Sequence, residues 1–451
     1  MARSISVLVV VAALAAPATA DDLTLTIDQA IARVEPAAET LVAAREDLAR
    51  AQTQIDLAKA GRWPQVNASA SFQHTFISEF KGGRIEIPIP DSAPLVIDIP
   101  IGQTDIWRAG VNVTQPVYDG GRTRAALALA RAGVDATQLG ISAQRAALVL
   151  AVAQAYWDAA LAVRAVEIGQ AALTSADETL AQTQLAFDHQ AAAEFDVVRA
   201  QVARDNQATG VIQLTAQRDM AMAALARLVD APLDRPIALA TPLEGVDGAA
   251  ISATARARAA LVDGQAPVAV AQAAADVRLR EATLRQQRTA LMPVINATTD
   301  LGVVDYPADV HPFSTDWRTN WTVGVGLSIP LFDRRAKVIE QATRRDIAAA
   351  RARLADVKEQ VAVTARIVDA QLAAATATWE QARRTVEQAQ RAFAIAELRF
   401  AQGASTHLEL VDARTQLQQA EFNRARSPRH VRVATLRRDL LVGLPLGAGG
   451  P

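Results

Sequence analysis

Cysteine is absent from all 451 residues. That excludes disulfides, thiolate nucleophiles and cysteine-ligated metals. Histidine is scarce: His74, His189, His311, His407 and His430 are scattered with no helical ligand spacing, so no metal site is expected within one chain. Aromatic residues make up only 4% of the chain, too few for ordinary globular cores. An excess of one charge is missing as well. The net charge of −2 gives no nucleic-acid footprint. Beyond the first twenty or so residues no run of about 18 apolar residues stands out, so no membrane-spanning helix is expected there. No nucleophile elbow, phosphate-cradling glycine loop or carboxylate dyad appears, and no cofactor is expected. Gly324-Val325-Gly326 lies within a strand pattern and leads to no helix, so it is not a dinucleotide fingerprint.

The N-terminus carries an export pattern. Arg3 precedes the apolar stretch Ile5 to Ala16, and Ala18-Thr19-Ala20 supplies an A-x-A cleavage site before Asp21. A buried N-terminal helix is the competing reading, but it rarely shows this order of charge, apolar core and small residues. Residues 1–20 are therefore read as a signal peptide. With no cysteine at the cleavage site, lipidation of the mature N-terminus is not expected. An exported chain without an apolar helix is either soluble or a β-barrel.

The rest reads as one unit written twice. The first copy contains Trp63-Pro64, the joint Gln115-Pro116-Val117-Tyr118-Asp119, then Leu185-Ala186-Phe187 and Leu228-Val229-Asp230-Ala231-Pro232-Leu233. The second contains Met292-Pro293, Ile329-Pro330-Leu331-Phe332-Asp333, Leu398-Arg399-Phe400 and Leu441-Val442-Gly443-Leu444-Pro445-Leu446. Pro116 to Pro330 is 214 positions (330 − 116), Phe187 to Phe400 is 213 (400 − 187), and Pro232 to Pro445 is 213 (445 − 232). Such a register is the mark of internal duplication. The expected boundaries are 21–233 for the first repeat, 234–253 for a connector packed outside the helical wall, and 254–451 for the second repeat.

Each repeat opens with two period-two segments, at about 65–118 and about 294–332. Val66, Ala68, Ala70 and Phe72 share one face while Asn67, Ser69 and Ser71 share the other. Trp107, Ala109, Val111 and Val113 alternate with Arg108, Gly110 and Asn112. Ile295, Ala297, Leu301 and Val303 oppose Asn296, Thr298 and Asp300. Trp321, Val323, Val325 and Leu327 oppose Thr322, Gly324 and Gly326. About ten residues with one apolar and one small-polar face suits a tilted membrane strand. A soluble sheet with one solvated face gives the same alternation. Aromatics near the strand ends and a lone set of four strands, whose edges need partners, favour the membrane reading. The segments Ile77 to Gln103, which is rich in proline, and Asp305 to Asp316 are read as surface loops.

Proline-free runs follow from Asp119 to about Phe187 and from Asp333 to about Phe400, each with a return helix, giving hairpins at about 120–230 and 333–442. At about 1.5 Å per residue each long helix reaches roughly 100 Å. Shorter helices, Ile27 to Gly61 and Thr254 to Leu291, lead into the strands.

In this order the motifs resemble the TolC-like outer-membrane efflux family. The resemblance rests on Trp63-Pro64 and Met292-Pro293, on the joints Gln115 to Gly121 and Ile329 to Asp333, and on Leu398-Arg399-Phe400-Ala401-Gln402-Gly403-Ala404-Ser405-Thr406 followed by Leu408-Glu409-Leu410-Val411-Asp412-Ala413. It covers essentially the whole mature chain. It implies a mostly α fold of long antiparallel hairpins with four β-strands per protomer, closed in a homotrimer as a twelve-stranded barrel in the outer membrane over a periplasmic α-barrel. The implied role is the passive, gated exit duct of a tripartite efflux or type I secretion system, not an enzyme. The implied partners are a periplasmic adaptor, an inner-membrane transporter and outer-membrane lipid. A soluble periplasmic coiled-coil adaptor is the alternative; a diffusion porin would lack the long helices.

The resemblance also marks residues. Gly403, Ala404, Ser405 and Thr406, with Gln190, Ala191, Ala192 and Ala193 in the first copy, would contact the adaptor. Gly403 suits a reversal needing positive φ, and Thr406 can cap the return helix. Glu409 and Asp412, three apart on one helix face, would ring the channel mouth, with Asp196 and Arg199 at the matching positions of the first copy. The competing reading of the acids is a solvated outer face. Asp196 and Arg199 are candidates to pair with each other or to link helices. His407 is expected to be exposed, or clustered about a threefold axis.

Overall fold

The computed structural model describes residues 23–77, 83–90, 92–99, 104–232, 235, 237–244, 266–307 and 317–445. The expected signal peptide, parts of both strand-linking loops, most of the connector, His311 and the expected helical start at Thr254 lie outside them.

The elements run β1 (Leu23–Leu25), α1 (Ile27–Ala37), α2 (Glu39–Ala60), β2 (Gln65–His74), β3 (Gly83–Ile87), β4 (Leu95–Ile99), β5 (Asp105–Tyr118), α3 (Arg122–Asp188), α4 (Glu194–Leu228), β6 (Ile237–Leu239), α5 (Val268–Arg288), a 3-10 turn (Thr289–Leu291), β7 (Val294–Asp305), β8 (Arg318–Ser328), α6 (Arg334–Ala401) and α7 (His407–Leu440). α3 and α6 have 67 and 68 residues. The order helix, strand, strand, long helix, return helix occurs twice. The chain forms two compact units, one from 47–138 and 273–354, the other from the described parts of 1–46, 139–272 and 355–451.

The first unit carries a sheet of order β2-β5-β7-β8, antiparallel throughout. Register sorts its side chains into rows. Ala68, Val111, Leu301 and Trp321 form one row, Asn67, Asn112, Asp300 and Thr322 the next. Because side chains alternate between faces, apolar rows collect on one side and small polar rows on the other. Asn112 Nδ2 donates to Asp300 Oδ1 at 2.6 Å along the polar side. The apolar side stays uncovered: Trp321, Val323 and Val325 are all more than 70% exposed. Among the described residues, neither β2 nor β8 has a strand on its outer edge.

The joint from β5 into α3 turns on Gly120 and Gly121, at φ +64° and +84°. A Cβ on Gly120 would lie 2.6 Å from Met292 Cβ, so only glycine fits. Asp119 caps the helix, accepting from Gly121 N at 2.9 Å and Thr123 N at 2.7 Å. Asp333 does the same for α6, accepting from Ala336 N at 3.2 Å. Polar bonds between neighbouring helices then set helix register. Thr343 Oγ1 on α6 donates to Gln287 Oε1 on α5 at 2.6 Å, and Arg351 reaches Glu281 at 2.7 Å.

The second unit holds the main apolar cluster. Ala146, Val149, Leu150, Val152, Ala153, Tyr156 and Trp157 of α3 pack with Ile27 and Val34 of α1, Leu225 and Val229 around the end of α4, and Leu436 and Leu440 of α7. Tyr156, fully buried, donates through its hydroxyl to Leu25 O at 2.9 Å and accepts from Thr241 N at 2.9 Å. It thereby fixes both strands of the parallel pair β1-β6.

Several expectations need correction. α3 is long and apolar enough, by composition, to cross a membrane, so such a stretch does occur after the N-terminus. Half of that apolar stretch is buried against the rest of the protein, consistent with a core segment. The helix expected from Ile27 to Gly61 is two helices, broken at Ala38 (φ −60°, ψ 116°) just after Pro36. The proline-rich loop contains a ribbon, β3 paired antiparallel with β4, where only loop was expected. The return helix α7 runs through Pro428 as expected, with Ser427 Oγ donating to Asn423 O at 2.6 Å beside it.

Candidate functional site

The hairpin ends bring the candidate residues together, all within the second unit. The α6–α7 turn reverses at Gly403, φ +69°, and no atom lies within 4 Å of where its Cβ would be. Gly403 N donates to Phe400 O at 2.9 Å and Ala404 N to Arg399 O at 2.8 Å, which satisfies the carbonyls of the helix end. Thr406 then starts α7, its hydroxyl accepting from Glu409 N at 3.4 Å.

The α3–α4 turn has the same backbone with different chemistry. Gln190 takes the left-handed conformation, φ +62°, where the other turn has glycine. Gln190 N donates to Phe187 O and Ala191 N to Ala186 O, each at 2.8 Å. Ala193 has no side-chain oxygen to cap α4. Asp196 partly compensates by accepting from Ala193 N at 3.4 Å.

Beyond the turns, α7 presents two faces. Glu409 and Asp412 are exposed on one. Glu409 Oε2 lies 3.7 Å from Arg399 Nη1 on α6, and Asp412 Oδ2 accepts from Gln416 Nε2 at 3.2 Å. The other face buries His407, Leu410 and Arg414 at spacings of three and four. His407 is thus 6% exposed rather than exposed as expected. Its ring meets Phe400 edge-on at 6.0 Å between centroids, which anchors it inside its own protomer. Burial lowers its pKa, the Arg199 and Arg414 charges lower it further, and Asp196 opposes them. Asp196 and Arg199 are half-buried where Glu409 and Asp412 are exposed, both act electrostatically on His407, and no Asp196–Arg199 ion pair is present among the described residues.

Arg414 is a site residue that the sequence patterns do not single out. Its guanidinium donates to Ser175 O on α3 at 3.0 Å and to the Thr179 hydroxyl, and it lies 5.9 Å over the Phe393 ring of α6. Burial lowers its pKa, while Glu397 and Glu178 act in the opposite direction. A charge within an otherwise inward stripe, His407, Leu410, Arg414, was the available signal. Further along, Gln207 of α4 and Gln418 of α7 exchange amide bonds at 3.4 and 3.2 Å. Arg429 of α7 grips Asp158 of α3 through two bonds, at 2.7 and 3.2 Å. Three helices from the two hairpins are thus cross-linked by polar side chains. Among the described residues no group of three or more His, Asp or Glu side chains converges as a metal site.

The model of the outer membrane efflux protein family matches residues 30–230 and 266–440. The chain belongs to that family. Among solved structures this efflux protein is similar to the outer membrane protein VceC of Vibrio cholerae, at TM-score 0.72 and 18% identity over 93% of this chain and 96% of that one. It is similar to the CmeC outer membrane channel of Campylobacter jejuni, at TM-score 0.70 and 14% identity over 93% and 86%. It is also similar to the open state of the MtrE outer membrane channel of Neisseria gonorrhoeae, at TM-score 0.69 and 17% identity over 93% and 89%. No curated protein matches the sequence. At these identities the structures establish the fold, and the family match carries the function: an outer-membrane efflux channel, a family of channels rather than enzymes. A soluble periplasmic adaptor is not favoured.

Proposed function

We propose that three copies of this efflux protein close their four-stranded sheets into one twelve-stranded barrel in the outer membrane, and that the hairpins form a periplasmic duct with its mouth at the two turns. The observation that carries this reading is the sheet itself. Among the described residues it has two unpaired edges and an uncovered apolar face. In a bilayer, unpaired backbone groups cost several kcal/mol each, so the edges must be closed by other subunits. The chain is read as entering the periplasm by its signal peptide, without lipidation, and as one unit duplicated, 21–233 and 254–451. The turns at 190–193 and 403–406 would meet a periplasmic adaptor linked to an energised inner-membrane transporter. Glu409 and Asp412 would form anionic rings at the mouth, with the Asp196 and Arg199 side opposite them less exposed. The duct itself hydrolyses nothing and binds no nucleic acid.

Fractionation tests the placement. The expected result is an outer-membrane protein that runs as a heat-modifiable trimer; recovery in the soluble periplasm would overturn the reading. For the mouth, Glu409→Ala with Asp412→Ala should weaken divalent-cation block of single-channel current. Unchanged block would remove those acids from the conducting path.

A further inference from the structure

The end of the sheet from which the long helices leave has a composition of its own. Register brings the start of β2 (Gln65), the end of β5 (Tyr118), the start of β7 (Val294) and the end of β8 (Ser328) to one rim. Exposed apolar residues follow directly: Trp63, Val117, Leu331 at 93% and Phe332 at 76%. Immediately beyond them come six exposed basic side chains, Arg62, Arg122, Arg124, Arg334, Arg335 and Lys337. The Lys337 ammonium lies 5.7 Å over the Phe332 ring, joining the apolar and basic layers.

The acids at this rim, Asp119 and Asp333, are outnumbered by the six basic side chains. Asp119 and Asp333 are occupied as helix caps, holding Gly121, Thr123 and Ala336 backbone N–H groups. Arg62 sits close enough to Asp119 to act on it electrostatically, and its carbonyl accepts from Gln115 Nε2 at 2.9 Å. Among the described residues Arg122, Arg124, Arg334, Arg335 and Lys337 make no ion pair. Lower on α6 the pattern changes, where Glu340 takes both Arg288 (2.9 Å) and Arg344 (2.8 Å). Five cations without an ion pair thus stand together at the rim.

Apolar and aromatic side chains stacked against a row of cations match the profile of a bilayer boundary, acyl chain first and headgroup second. We propose that this rim is a collar for anionic phospholipid headgroups in the periplasmic leaflet, with Arg334, Arg335 and Lys337 at its centre. The proposal rests on the outer-membrane placement above and adds to it the chemistry of the lipid. Each basic side chain near an anionic surface strengthens association about fivefold, so three together produce a large preference even after screening by salt.

The test uses the full chain, reconstituted in phosphatidylcholine and in an equal mixture of phosphatidylcholine and phosphatidylglycerol. Quenching of tryptophan fluorescence by brominated lipid of either kind gives the relative binding constant, with Trp63 reporting from the rim. Wild type should prefer phosphatidylglycerol, and added salt should reduce the preference. R334Q/R335Q/K337Q should lower it by about tenfold or more. R383Q/R384Q, which removes exposed cations elsewhere on the same helix, should leave it unchanged. Equal preference in wild type and R334Q/R335Q/K337Q overturns the collar. So does a loss of trimer stability by that variant in phosphatidylcholine alone, because the cations would then serve a neighbouring subunit. Single-channel conductance, measured in parallel, reports on the duct reading. Its absence in wild type would sink the duct and leave the lipid preference separately readable.

Discussion

Arg399 Nη1 on α6 lies 3.7 Å from Glu409 Oε2 on α7, so one of the two acids proposed for the mouth has a cation beside it within its own protomer. Both side chains are about half exposed, at 53% and 51%. A pair of this kind contributes only about 0.2–1 kcal/mol. Its larger effect is on charge: Arg399 partly cancels the ring that Glu409 would form. Arg399→Gln should therefore make a blocking divalent cation bind a few-fold more tightly, about threefold, at nearly unchanged stability. Block titrations on single channels measure this. If Arg399→Gln and wild type are blocked alike, Glu409 does not face the conducting path.

The two turns make opposite predictions for the same substitution in reverse. Gly403 and Gln190 both sit at positive φ, +69° and +62°. A side chain in that conformation costs about 1–2 kcal/mol, and open space around Gly403 leaves the backbone term alone. Gly403→Ala should destabilise its hairpin end by that amount, whereas Gln190→Gly should stabilise the other. Ala193→Thr should add roughly 1 kcal/mol by supplying the cap that Thr406 already gives α7. Hydrogen exchange of the amides flanking each turn reads both signs. Faster exchange in Gln190→Gly would show that the Gln190 side chain, not its backbone, stabilises that turn.

Tyr156 holds two backbone groups with one hydroxyl, 2.9 Å from Leu25 O and 2.9 Å from Thr241 N. Tyr156→Phe keeps the buried ring and leaves Thr241 N without its partner, while Leu25 O keeps its bond from Ala240 N, at a cost of about 1–3 kcal/mol. The β1-β6 pair has three residues per strand, with Leu25 and Ile237 buried in the apolar cluster. Its amides should lose protection first, with the midpoint of thermal unfolding falling less. Full protection in Tyr156→Phe would mean that the strand pair stands on its own bonds.

How far the fold could be read from the sequence depended on the length of each pattern. Ten-residue alternation fixed the faces of β2, β5, β7 and β8, because one register error would have reversed every side chain. Long proline-free runs fixed α3 and α6. Short elements were illegible: β1 and β6 have three residues each and are defined by a partner more than 200 positions away and by Tyr156. The ribbon β3-β4 was masked by the prolines that flank it. At the tip, Gly403 and Thr406 announced themselves through backbone chemistry. His407 and Arg414 did not, because a buried stripe is normally read from apolar residues and these two are polar.

That buried stripe supports a prediction about pH. His407 has a lowered pKa through burial first and the Arg199 and Arg414 charges second, with Asp196 opposing. Arg199 and Asp196 act on it from α4, and Arg414 from α7. The sign follows from proton counting. Any state in which the tip has opened or unfolded lets His407 take its ordinary pKa near 6.5, so that state binds more protons over the window below 6.5. Stability of the closed tip is then full above that window and falls as the pH drops through it, by at most about tenfold in the opening equilibrium per pH unit for one proton. Cleavage by a protease at the 190–199 and 403–414 segments, compared at neutral and mildly acidic pH, should rise for wild type. His407→Phe keeps a ring against Phe400 and removes the titration, so its cleavage should be nearly flat across the same range. An unchanged pH dependence in His407→Phe would show that His407 is not the group whose protonation opens the tip.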